Sequence, residues 1–217
     1  MKIKEYMDER FPSLEVIPSI YNQWGLGIHF CLGENIYQLK ENEELNLKRF
    51  WIVYDQISTI FNELFEQNDD IFLVTNMYKH KTKCIRKLKV YQPYLKCKKY
   101  LNQIHVKTYP YPFEIDKAEE YEMQQFSLLC KPRDLRVTEL LKAASNEDFP
   151  LQPRFGGYSI DYPDVFFVNI TKDVIFFIYD DRGCEVIALD FERIRPLYEK
   201  HHDWVEEYKY IYQERQN

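Results

Sequence analysis

The chain has 217 residues, 45% of them hydrophobic and 17% aromatic, with only six glycines. That supplies enough apolar surface for a sizeable core and excludes a disordered or fibrous chain. Its formal charge is −6, yet Ile71 to Phe113 holds ten cations and no acid, which leaves −16 on the remainder. The molecule expected has one basic side and a larger acidic one.

Residues 2–10 predict a short helix stopped by Pro12, and Trp24 to Leu32 a strand ending at Gly33. From Glu43 the positions Leu47, Phe50, Trp51, Tyr54, Ile57, Ile60, Phe61, Leu64 and Phe65 recur at i, i+3, i+4 spacing, which predicts a long amphipathic helix over 43–66. Asp70 to Tyr78 reads as a strand. Cys84 to Leu101 reads as a basic helix with Ile85, Leu88, Tyr91 and Leu95 inward, interrupted near Pro93. Strands follow at 104–108 and 121–130, then a helix over 132–144 with Pro132 in its first turn.

The run of turn formers from Pro150 to Pro163 marks a boundary. Before it lies an α/β subdomain, 1–148, carrying the basic segment 71–113. After it, 149–217 reads as a three-stranded meander plus a long helix, the two parts forming one compact domain. The strands are Val165–Ile170, Val174–Tyr179 and Cys184–Leu189; the middle one is apolar on both faces and must be covered on both sides. The stripe Ile194, Leu197, Tyr198, His201, Trp204, Val205, Tyr208, Ile211 and Tyr212 predicts a second long helix, with Pro196 near its start. The fold class is α+β: a mixed, partly antiparallel β-sheet flanked by about four helices.

MKIKEYMDERF has no apolar run after its basic residues, and Val16 to Gly33, the longest uncharged run, is broken by Pro, Asn, Gln and three glycines. Neither a signal peptide nor a membrane span is expected, so the protein is expected to be soluble and cytoplasmic. The five cysteines, 31, 84, 97, 130 and 184, contain no CxxC and are expected as free thiols. His29-Phe30-Cys31 would share one strand face but lacks a second ligand pair, and His201-His202-Asp203 suits a helix surface. No metal and no cofactor are expected.

Gly25-x-Gly27 lacks the third glycine of a dinucleotide fingerprint, and neither a phosphate loop nor a nucleophile elbow is present. The tetrapeptide Asp180-Asp181-Arg182-Gly183 joins two apolar runs. As a hairpin turn it needs Asp at its start and Gly183 at positive φ. As a site it would offer Asp180 and Asp181 with Glu185 and Asp190. A Mg²⁺-dependent nuclease also wants acid-x-Lys on the following strand, where this chain has Glu185-Val186-Ile187. The turn is the better reading, and it would expose its acids at one end of the sheet.

Asn169-Ile170-Thr171-Lys172, Tyr179-Asp180-Asp181-Arg182-Gly183, Arg195-Pro196-Leu197-Tyr198-Glu199-Lys200 and Trp204 together resemble a bacterial family that shares this tail. It is an uncharacterised domain of unknown function, found mainly in Gram-positive spore formers and some of their phages. The likeness is looser upstream, at Trp24-Gly25, the basic helix and Phe126-Ser127-Leu128. The resemblance implies an accessory bacterial protein rather than a metabolic enzyme, and it carries over no catalytic residue.

Two readings of function follow. In the first, the chain is a non-enzymatic protein-binding protein of inhibitor or immunity type, acting on a bacterial toxin or defence effector. Asp180, Asp181 and Glu185 would attract a basic partner, Arg182 would lie among the contact residues, and Trp204 and Tyr208 would anchor it. In the second, the chain is a nucleic-acid-binding or nuclease-like protein that uses the basic 79–107 segment. Lys87, Lys96, Lys98 and Lys99 would meet phosphates, with Tyr78, Tyr91, Tyr94 and Tyr100 stacking on bases.

Overall fold

Short reversals between apolar strands build one antiparallel sheet, seen here in a computed structural model that describes residues 1–83, 91–156 and 160–210. Its strands are β1 (Leu26–Cys31), β2 (Ile71–His80), β3 (His105–Pro110), β4 (Tyr121–Cys130), β5 (Asp164–Asn169), β6 (Val174–Ile178), β7 (Gly183–Ala188) and β8 (Val205–Tyr210), in the order β3-β4-β2-β5-β6-β7-β1-β8. The helices are α1 (Ile3–Arg10), α2 (Ile20–Gln23), α3 (Leu47–Leu64), α4 (Val137–Ser145) and α5 (Arg195–Lys200), with several short 3-10 turns between them. The fold is α+β. The sheet is not mixed as expected, because every described pairing is antiparallel. Parallel neighbours need a long crossover, and α3, which links β1 to β2, joins strands that are not adjacent. β2 pairs with β5 and β1 with β7, so the sheet runs through residues on both sides of the 150–163 segment.

Alternation along the strands sorts the core into two faces. Phe167, Phe176, Val186, Ile28 and Leu73 point to the face covered by α3 and α4. Phe166, Phe177, Ile175, Ile187 and Val74 point to the face covered by α1 and the segment after it. β6, apolar on both sides, is buried throughout its length at the centre of the sheet, as a strand without a polar face must be. Phe61 is central to the first face, with rings stacked on Phe65 at 4.4 Å and edge-on to Phe167 at 5.1 Å.

The C-terminal stretch departs most from its sequence pattern. In place of one long helix, α5 stops at Lys200, a 3-10 turn spans His202–Trp204, and β8 pairs with β1. Tyr208 pairs with Ile28 and packs against the α3-side core, while Glu207 and Lys209 alternate with it, so this sequence satisfies period two as well as period 3.6. The open edge of β1 selects the strand. Ile211 and Tyr212 lie outside the described residues. So do residues 84–90 of the expected basic helix; beyond them Tyr91 to Leu101 holds turns and a 3-10 helix, Lys98–Gln103. The helix expected over 132–144 is split into a 3-10 turn, Pro132–Asp134, and α4.

Candidate functional site

Local chemistry explains most of the acidic turn. Asp180 accepts from the Arg182 backbone N–H at 2.6 Å and from Arg182 Nε at 2.7 Å, so the turn is closed by its own side chains. Asp181 points instead into the protein, where Arg49 of α3 donates from Nε to its carboxylate at 2.7 Å and from Nη2 to its backbone carbonyl at 2.9 Å. Arg49 Nη1 donates to the Ile36 carbonyl at 2.6 Å. One buried guanidinium thus ties the β6–β7 turn, the 32–38 segment and the first turn of α3 together. Gly33 belongs to this latch: its φ is +84°, and a Cβ there would overlap the guanidinium. Burial raises the Asp181 pKa, against the pull of Arg49.

The expectation of exposed acids is therefore corrected. Asp180, Asp181 and Glu185 are buried, and only Arg182 reaches solvent. A carboxylate so close to the sheet must find an internal donor, and each of these does. Glu185, on the α1 face of β7, accepts from the Tyr21 N–H at 3.1 Å, and burial raises its pKa. Gly183 is also corrected, since it is not at positive φ. Its lack of a side chain answers a close approach: a Cβ would overlap the Tyr179 phenol and lie 2.7 Å from the Phe30 carbonyl oxygen.

That approach of Tyr179 belongs to a second polar group on the α1 face. The Tyr179 hydroxyl is hydrogen-bonded to His29 Nε2 at 3.0 Å, and His29 Nδ1 lies 3.5 Å from Glu206. Burial raises the Tyr179 pKa, so the phenol stays protonated at neutral pH. A carboxylate, an imidazole and a phenol in line are groups that can relay a proton. Here they also satisfy one another and bind the β6 end to β1 and β8. Cys31, paired with His29 in the sequence reading, is exposed, and burial of its sulfur with nearby Glu206 raises its pKa, the opposite of an activated thiol.

Trp204 and Tyr208 are half-buried. Trp204 stacks on His201 with centroids 4.3 Å apart, and Tyr208 lies 4.5 Å from Tyr198. In the basic segment Lys96, Lys98 and Lys99 are exposed, and Lys87 lies outside the described residues. Tyr78, Tyr91 and Tyr94 are core residues, so those rings are not available to stack on bases. Arg133 and Arg136 come close to Lys96, whose ammonium donates to the Arg133 carbonyl at 2.9 Å.

A further surface lies at the start of α3, the helix whose acidic face the sequence offers as the next place for an interface. Tyr37 is 82% exposed, Trp51 74%, Leu47 52% and Leu39 47%. Leu47, Trp51 and Asp55 succeed one another at i, i+4 on the outer side of α3. The 36–46 segment folds back on the helix start, with a Leu39–Leu45 bridge and the Asn46 N–H donating to the Gln38 carbonyl at 2.8 Å. Glu34, Glu41, Glu43, Glu44 and Asp55 are exposed on the same 34–55 stretch, against two exposed cations, Lys48 and Lys40, the latter paired with Glu44 at 3.4 Å. The spacing that predicts the helix counts Leu47 and Trp51 among its apolar positions, yet both lie in solvent. The correcting signal is angular: at about 100° per residue Trp51 sits about 120° from Ile57, beyond the edge of a buried stripe.

Residues 3–209 match the family described as a domain of unknown function, DUF3885. The chain belongs to this family. It is also 85% identical over 211 residues to a Bacillus subtilis (strain 168) protein called "Uncharacterized protein YnaE", an alignment covering 96% of this chain and 99% of that one. No solved structure matches. Among the described residues, no helix of this DUF3885 member is long and apolar enough to cross a membrane.

Proposed function

We propose that this DUF3885 protein is a non-enzymatic protein-binding protein of inhibitor or immunity type, acting in the cytoplasm on a bacterial effector. The observation that supports this most is the surface of Tyr37, Leu39, Leu47 and Trp51 on an acid-rich stretch. Apolar side chains exposed singly are ordinary, but four gathered at one helix end, two of them Trp and Tyr, have the composition of an interface centre. The excess of carboxylates on this stretch suits a basic partner, such as one whose own site takes nucleic acid or phosphate. This surface replaces the buried acids of the β6–β7 turn as the partner-binding site.

The test pairs capture with titration. The wild type is used to isolate a partner from the native cell, and the purified partner is titrated against Trp51→Ala/Tyr37→Ala. Both side chains are exposed, so the variant keeps its fold. Two interface anchors of about 2 kcal/mol each predict a loss of affinity approaching roughly 1,000-fold. A variant that binds as tightly as the wild type refutes the assignment.

A further inference from the structure

On the α1 face the sheet extends past its covering helix. Between α1, the 11–17 segment and the β3–β4 end lies a cleft of about 440 Å³. That lies within the range of small-ligand sites, roughly 300–1,000 Å³. Its floor is apolar, built from Met7, Phe11, Leu14 and Met123, all buried. The two methionines are side chains that adapt to irregular apolar shapes.

Two polar groups stand side by side at the β3 wall. Gln125 of β4 and Lys107 of β3 are direct cross-strand partners, so their side chains leave the same face about 5 Å apart. Gln125 is buried, and its Nε2 donates to Asn76 Oδ1 at 3.1 Å and to the Val16 carbonyl at 3.4 Å. With both amide hydrogens engaged inside the protein, the carbonyl oxygen is the polar atom of this cleft-lining side chain left without a protein partner among the described residues, and it accepts only from an N–H or O–H. Lys107 is exposed, with its ammonium 4.5 Å above the Tyr109 ring, and has no carboxylate partner among the described residues. Lys4, across the mouth, is already paired with Asp8 at 2.6 Å. Asp8 and Glu15 line the opposite walls, so an anion entering the cleft is drawn toward β3.

We propose that this cleft binds the carboxyl terminus of a peptide whose last residue is apolar. Such a residue carries an N–H, a carboxylate and an apolar side chain on one Cα. The cleft brings together an acceptor, an ammonium and an apolar floor. Gln125 takes the N–H, Lys107 the carboxylate, and Met7, Leu14 and Met123 the side chain. The surface of Tyr37 and Trp51 is elsewhere, at the start of α3, so this site stands independently of the protein-binding surface.

The probes are N-acetyl-Ala-Leu as the free acid, its C-terminal amide, and the acid N-methylated at Leu, each titrated into full-length protein carrying ¹³C-methyl methionine. The free acid is expected to shift the methyl signals of Met7 and Met123 with a Kd of about 0.1–1 mM. Met77, which packs on the α3 face, serves as the internal control and should stay still. The amide and the N-methylated acid should each bind at least ~10-fold more weakly. Lys107→Gln should weaken the acid by a similar factor and leave the amide unchanged, since it removes one exposed charge. Equal binding of acid and amide overturns the proposal, as does an acid that fails to shift Met7 and Met123 at about 10 mM or shifts Met77 as much.

Discussion

Replacing Arg49 by Met should destabilise the protein severely, because Arg49, in the first turn of α3, is buried with its charge. The substitution keeps the apolar stem and removes three internal bonds, to the Asp181 carboxylate, the Asp181 carbonyl and the Ile36 carbonyl. What remains is a carboxylate buried to 1% exposure with no cation beside it. Breaking a buried pair from one side costs about 3–5 kcal/mol, most of it the cost of the charge left behind. For a chain of this size, with a urea slope of about 3 kcal/mol/M, the unfolding midpoint should fall by about 1–1.5 M. The orphaned carboxyl can escape its penalty by taking a proton, so the deficit should narrow as pH is lowered from 7.5 to 5. Arg49→Met combined with Asp181→Leu should recover most of the lost stability, because no charge is then stranded. Urea melts of the wild type, both single variants and the double variant at the two pH values measure all of this. A midpoint shift below about 0.3 M for Arg49→Met, or a double variant no more stable than that single one, refutes the latch. By the same reasoning Asp181→Asn should also destabilise, since it leaves the guanidinium buried without its carboxylate.

Gly183→Ala should cost at least about 2 kcal/mol, because the new methyl group meets the Tyr179 phenol and the Phe30 carbonyl oxygen; a thermal melt unchanged by the substitution would show that the β6–β7 turn yields freely. Stability should also fall as pH rises. Burial lifts the Asp164 carboxyl to about 7 and that of Glu147 to about 8, well above the ordinary carboxylate range. Both groups bind a proton more tightly folded than unfolded, so their contribution is fullest near pH 4 and is lost as pH climbs through about 7 and 8. Glu63 and Asp173, lowered by hydrogen bonds and ion pairs, act with the opposite sign below about pH 4.5, outside that window. Denaturant midpoints should therefore drop between pH 5 and pH 8.5, with a flatter slope in Asp164→Asn/Glu147→Gln; a flat wild-type profile contradicts the assignment.

Where a segment's own pattern admitted one solution, the sequence by itself determined the element. Residues 3–10 and the β4 run from Tyr121 to Cys130 fold as their periodicity requires, and β6, with no polar face, had to be central. The α+β class and the resemblance of the tail around Asp180 to Trp204 also followed from local pattern. Tertiary structure decided the rest, because those outcomes depend on partners distant in the chain. Val205 to Tyr210 could serve as helix or strand, and the unpaired edge of β1 chose strand. Asp181 reads as a turn acid until α3 brings Arg49 to it from 132 residues away. Trp51 reads as one more apolar residue on a helix, and only the placement of α3 over the sheet leaves it in solvent. Burial of a charge and exposure of an aromatic ring are set by what packs against them, and spacing along the chain does not contain that information.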